Sequence, residues 1–133
     1  MLNREERLDY ESEDTVVKYQ FIYYPKCTTC QKAKKWLDDN GIIYEEQNIK
    51  EQNPTVAELE EWHTKSKLPL KKFFNTSGLV YKGLGLKDKL STMSEAEQLA
   101  LLATDGMLVK RPILIAGDGV FVGFKEVDWA KIK

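Results

Sequence analysis

Metal ligands are scarce in this chain. It has two cysteines and one histidine, His63, whereas a mononuclear zinc site usually takes four ligands. His63 stands mid-helix beside Trp62 and reads as a solvated helix residue, so no metal or other cofactor is expected. Arginine is scarcer than lysine: Arg4 and Arg7 fall within residues 1–15, which leaves Arg111 alone in the remainder. The net charge is only −1, which gives no global electrostatic case for direct nucleic-acid binding or for an anionic membrane. No apolar run approaches the roughly 18–20 residues needed to span a bilayer. The opening residues lack the basic start and apolar middle of a secretory signal. These absences point to a cytoplasmic protein, in which a permanent structural disulfide is disfavoured.

What is present begins with a lopsided charge. Residues 1–15 carry six acids against their two arginines, a net −4 that leaves +3 on the rest of the chain. With few apolar residues and no period, that stretch reads as a disordered acidic tail or a remnant of cloning. Residues 16–133 read as a single domain, and with 42% apolar residues over the 133-residue chain a sizeable core is expected.

From Val16 the pattern changes. Val17, Tyr19, Phe21 and Tyr23 alternate with Lys18, Gln20, Ile22 and Tyr24, a strand with apolar residues on both faces that Pro25 closes. A helix is predicted from about Thr28 to Asn40, with Ala33, Trp36 and Leu37 inward and Gly41 as a left-handed cap. Ile42–Ile49 reads as a second strand. Thr55-x-x-Glu58 is a capping box and opens a helix to about Ser66 with Val56, Leu59 and Trp62 inward. Short helical turns and loops fill Pro69–Leu90. A second capping box, Ser94-x-x-Glu97, starts a helix to about Thr104 with Leu99 and Leu102 inward and Gly106 closing it. Strands Ile113–Ile115 and Val120–Gly123 flank the hairpin turn Gly117-Asp118-Gly119. A short helix, about Glu126–Lys131, offers Val127 and Ala130 for docking. The order is βαβ, a helical insertion over about 69–106, then ββα. That is the α/β thioredoxin-like fold with a mixed four-stranded sheet.

Both cysteines lie in one stretch, "YPKCTTCQKA" from Tyr24 to Ala33. A C-x-x-C pair can grip a metal, form a static staple or run thiol–disulfide chemistry. Cys27 falls between strand and helix, and Cys30 in the first turn of the helix. Free backbone N–H groups and the helix dipole favour a thiolate there, with Lys26, Lys32 and Lys34 adding positive potential. Cys27 is expected to be the more exposed thiol and the nucleophile, and Cys30 the resolving thiol of a redox-active Cys27–Cys30 disulfide. Thr28 and Thr29 offer hydroxyls as weak donors. Arg111-Pro112 opens a strand that faces the cysteine loop in a thioredoxin-like sheet. A cis bond there exposes backbone to an incoming substrate chain, so Pro112 joins the candidate binding residues. Arg111 would bring a permanent cation to the Cys27 thiolate or to a bound oxyanion, or pair with a surface carboxylate instead.

The blocks "YPKCTTCQKAKKWLDDNGI", "NPTVAELEEW", "LPLKKFFNTSG", "LGLKDKL", "TMSEAEQLALLATDGMLVKRPIL" and "VGFKE" resemble the arsenate reductase (ArsC)/Spx/MgsR family. The resemblance runs from about Val16 to Lys131, and is nearest to the arsenate-reductase-like branch that carries a CxxC motif. It implies a thioredoxin-like sheet with a helical insertion. It also implies a thiol–disulfide oxidoreductase, with possible arsenate reductase activity, re-reduced by thioredoxin, glutaredoxin or a low-molecular-weight thiol, and monomeric. In the arsenate reductases a cysteine at the position of Cys27 attacks the oxyanion, and arginines bind it. Arg111 matches the arginine of the family's arginine-proline-isoleucine motif, but Gln31 stands where the family often has arginine. Lys71 and Lys72 are the residues available to assist Arg111 with an oxyanion, although lysine lacks the bidentate fork. In Spx-type regulators the cysteine pair is a redox switch and the partner is the RNA polymerase α subunit, which is the alternative function. "KSKLPLKKFFNTSG" replaces the acidic and Ser/Thr-rich loop that contacts the polymerase in Spx.

Overall fold

The computed structural model describes residues 19–132. The predicted acidic tail, residues 1–15, and the start of the first predicted strand, 16–18, lie outside the described residues. Four strands form one mixed sheet: β1 (Tyr19–Tyr23), β2 (Tyr44–Asn48), β3 (Ile113–Ala116) and β4 (Gly119–Val122). Their spatial order is β2-β1-β3-β4. β1 and β2 run parallel, with Tyr19 opposite Tyr44 and Tyr23 opposite Asn48. β1 and β3 are antiparallel with Ile22 opposite Ile113, and β3 and β4 form the hairpin. Helix α1 (Thr28–Asp39) connects the parallel pair, as a parallel pair requires a crossover. Between β2 and β3 lie α2 (Val56–Ser66), a 3-10 turn at Leu70–Phe73, α3 (Leu79–Gly83), α4 (Leu86–Lys89) and α5 (Glu95–Leu102). One turn of helix, α6 (Glu126–Trp129), follows the hairpin.

Period-two alternation along β1 divides the interior. Phe21 points to one face and packs with Ala33, Leu37, Leu114 and Trp129. Ile22 points to the other and joins Ile49, Leu59, Phe73, Leu102 and Ile113 beneath the helical insertion. Both side chains are fully buried, each burial being worth about 1.5–3 kcal/mol. The central strand is therefore apolar on both faces, as its sequence indicates. β2, on the edge, is not: Glu45 and Glu46 are exposed, and charge on an edge discourages pairing with another chain. It is shorter than the predicted Ile42–Ile49: Ile43 is 89% exposed ahead of it, and Ile49 just past its end still donates its N–H to the Tyr23 carbonyl at 2.8 Å.

Local signals set the helix ends. Gly41 has φ +67°, and Gly41 N–H and Ile42 N–H donate to the Asp38 and Leu37 carbonyls at 3.1 and 3.0 Å. That pair of bonds is the Schellman arrangement. Both capping boxes are present, Thr55 with Glu58 and Ser94 with Glu97. Three packing expectations are corrected. Val56 in the first turn of α2 is exposed, and only Leu59 and Trp62 of that helix face inward. The last helix docks through Trp129, fully buried with its indole N–H on the Gly123 carbonyl at 3.2 Å. Val127 and Ala130 point to solvent. An indole buries far more apolar area than either, so the single turn rotates to seat it.

Gly106 is the third correction. α5 ends at Leu102, and Gly106 instead presses against the turn after β2. Its N–H donates to Asn53 Oδ1 at 2.9 Å, and a Cβ at this position would stand 2.1 Å from the Ile49 carbonyl oxygen. Backbone leaves no room for a methyl group. Gly106→Ala is expected to cost about 2 kcal/mol or more, read as a lower urea midpoint with an unchanged m-value.

Candidate functional site

Strand β1 ends in the turn Tyr24-Pro25-Lys26-Cys27, closed by Cys27 N–H donating to the Tyr24 carbonyl at 3.0 Å. Cys27 is the N-cap of α1, with extended φ and ψ of −86° and 120°. Its sulfur accepts the Cys30 N–H at 3.4 Å. In place of the usual hydroxyl or carboxylate, a thiol serves as the cap acceptor, where unpaired N–H groups and the helix dipole favour negative charge. Cys27 is half-buried and Cys30 buried, and both are free thiols. The Gln31 side chain donates to the Pro25 carbonyl at 2.9 Å, tying α1 back over the turn. Sequence reading noticed Gln31 only as a missing arginine, since a side-chain-to-backbone staple has no motif.

The two sulfurs are chemically unlike. Burial pushes the Cys30 thiol up to about 12, with the neighbouring Cys27 also raising it. The Tyr24 backbone, the largest influence after burial, opposes this, and the charge of Arg111 is the smallest influence, also lowering it. Cys30 is thus a thiol at neutral pH, and Cys27 is the sulfur that solvent reaches.

Arg111 precedes Pro112 through a cis peptide bond. Its guanidinium Nη1 donates to the Val109 carbonyl at 3.2 Å, with the Met107 carbonyl at 3.5 Å. The guanidinium carbon lies 5.3 Å from the centre of the Tyr24 ring, within cation–π range. Nε is buried and has no partner among the described residues. Among the described residues no carboxylate pairs with Arg111, and backbone carbonyls and an aromatic face hold it. Tyr24, a part of this cradle that sequence reading passed over, carried only one signal, an aromatic residue directly before the proline that ends β1. Pro112 is buried and accepts Gly123 N–H at 2.7 Å.

Thr29, Lys71, Lys72 and Arg111 line one open groove of about 870 Å³. Lys71 and Lys72 reach it from the 3-10 turn Leu70–Phe73. Cys27, Cys30, Thr28 and Pro112 are not among its walls, so Thr29 is the link between the groove and the cysteine turn. Lys34, expected to charge the cysteine loop, is engaged elsewhere. It pairs with Glu46 and reaches the Tyr44 hydroxyl at 3.3 Å, and the Glu46 contact raises its pKa. His63 is half-buried rather than solvated, edge-on to Phe73 with ring centres 5.9 Å apart. Among the described residues no three His, Cys, Asp or Glu side chains gather where they could hold a metal ion. No helix among them is long and apolar enough to cross a membrane.

Residues 22–132 match the family model described as the ArsC family. The chain belongs to that family. YusI of Bacillus subtilis is 58% identical over 106 residues, covering 80% of this chain and 90% of the relative. A crystal structure of a Bacteroides fragilis protein described as related to the ArsC family superposes with a TM-score of 0.85 at 57% identity, covering 86% of this chain and 97% of that one. The global transcriptional regulator Spx 1 of Bacillus cereus matches more locally, at 49% identity over 37 residues, or 28% of each chain. The thioredoxin-like α/β fold is therefore that of an ArsC-family protein with a C-x-x-C pair at the start of α1.

Two measurements check the asymmetry of the pair. At neutral pH a haloacetamide is expected to label Cys27 at least about 100-fold faster than Cys30, because only the thiolate reacts and Cys30 is both shielded and protonated; peptide fragmentation in a mass spectrometer reads it. The second is linkage. Burial pushes the Cys30 thiol up from its ordinary 9.0 to about 12, so between those two values the folded chain keeps a proton that the unfolded chain has lost. Its contribution to stability is complete below about pH 9 and is lost as pH rises toward about 12. Cys30→Ala is expected to show a shallower alkaline decline in unfolding free energy.

Proposed function

We propose that this ArsC-family chain is a thiol–disulfide oxidoreductase. Cys27 attacks a disulfide sulfur, Cys30 resolves the mixed disulfide, and Arg111 stabilises negative charge on the pair. The observation that carries this reading is the half-buried Cys27 sulfur at the N-cap of α1, with a buried, protonated Cys30 one turn along. The first supplies an accessible attacking group; the second is kept inert until a mixed disulfide forms within its reach. No cofactor is needed if thioredoxin, glutaredoxin or a low-molecular-weight thiol re-reduces the pair, and a monomer in the cytoplasm suits such a cycle.

Arsenate reduction falls within the same class and is the weaker assignment. Arg111 is the single arginine among the described residues, and its Nη1 is already occupied by backbone carbonyls. Lys71 and Lys72 would have to supply the remaining charge, together with the Thr28 and Thr29 hydroxyls. The second reading is a redox-sensing regulator that binds the RNA polymerase α subunit. It is favoured by the local match to Spx 1, which covers only 28% of each chain.

Cys27→Ser is expected to abolish reduction of a model disulfide, and Cys30→Ser to accumulate a mixed disulfide visible by intact mass. Turnover that survives Cys27→Ser would sink the enzyme reading. A chain inert toward every disulfide, yet capturing the α subunit only when oxidised, would establish the regulator in its place.

A further inference from the structure

The groove beside Thr29 has a charge that the chain as a whole does not. Lys71, Lys72, Lys110, Arg111 and Lys125 line it against one carboxylate, Asp128. That is +4 on one groove of a protein whose total is −1. Among the described residues, none of those four lysines is in an ion pair. Lys34, Lys35, Lys65 and Lys131, which are not among its walls, all are, and the partner of Lys131 is Asp128 itself.

The groove is far larger than a small anion needs. About 870 Å³ is many times the roughly 30 Å³ share of one water molecule. The cations come from three places: the 3-10 turn at Leu70–Phe73, the segment before β3, and the link from β4 to α6. They therefore belong to three separate segments of the chain that the fold brings to one groove. Half-buried Phe121 and Phe124 add apolar wall between them. A segment with several carboxylates interleaved with apolar side chains complements both features.

We propose that the disulfide reduced by this protein is carried on an acidic polypeptide segment that lies in this groove. The proposal rests on the thiol–disulfide reading above and gives it a substrate class. The Cys27 thiolate attacks the substrate sulfur, forming a Cys27–substrate disulfide and releasing the other half of the substrate as a thiolate, which takes a proton from solvent. The Cys30 thiol then loses its proton and attacks Cys27 Sγ. The Cys27–substrate bond breaks, the substrate leaves as a thiolate, and the Cys27–Cys30 disulfide remains. Two electrons pass from the dithiol to the substrate, and an external dithiol protein or small thiol returns them.

The test uses the full reduced chain and short peptides bearing one cysteine capped as a mixed disulfide with thionitrobenzoate. One peptide has flanking glutamates, one flanking lysines, and a small uncharged disulfide serves as reference. At low ionic strength the acidic peptide is expected to react about tenfold or more faster than the lysine peptide. The ratio should approach one near 1 M salt, where screening acts within about 3 Å. In Lys110→Glu/Lys125→Glu the ratio is expected to fall to one or invert; because both rates are read in the same variant, changes in Cys27 reactivity cancel. Equal rates for the two peptides in the unaltered chain at low salt would overturn the proposal. So would a ratio left untouched by the double substitution. Failure of the unaltered chain to reduce even the uncharged disulfide would instead overturn the oxidoreductase reading, and this inference with it.

Discussion

The hydrogen bond from the Cys30 amide to the Cys27 sulfur couples the backbone to the chemistry. A helix N-terminus must find acceptors for its first N–H groups, and here a thiol supplies one of them. The same contact orients Cys27 outward at the end of β1 and leaves Cys30 on the inward face of α1, in line with Ala33 and Leu37. One local constraint therefore produces the difference in exposure between two cysteines three residues apart.

That constraint holds only because the turn is anchored on both sides. β1 is one of two inner strands, with neighbours on each edge and a packed layer on each face, so its end is a fixed point. Trp129 and Phe21, with ring centres 6.4 Å apart, close the layer that contains α1. Tyr24 joins the turn to Arg111 across the sheet, its carbonyl accepting the Cys27 N–H and its ring facing the guanidinium. The site is thus an assembly of β1, α1 and the segment before β3, which are brought together only by the mixed sheet.

Much of the fold was legible because its signals are local. Two capping boxes, the Gly41 cap, the Gly117-Asp118 turn and the period-two pattern of β1 each depend on residues within a few positions of one another. The misreadings share the opposite character. Apolarity alone points Val56 inward and offers Val127 and Ala130 for docking, whereas burial depends on which side chain can reach a distant partner. Gly106 looked like a helix terminator, and its actual constraint is the Ile49 carbonyl, far off in sequence. Lys34 lay near the cysteines in sequence, but its rotation around α1 carried it to Glu46 on the edge strand.

The sequence by itself determined the order of elements, the place of Cys27 at a helix start and the pairing of Arg111 with Pro112, because each is written in adjacent residues. Only the tertiary structure decided that Cys30 is buried and held as a thiol. It also decided that Arg111 is cradled by Tyr24 and backbone carbonyls, and that four lysines from separate segments join Arg111 along one groove. Desolvation and electrostatic potential are properties of what surrounds a group in space, and chain order does not specify them until the sheet has closed.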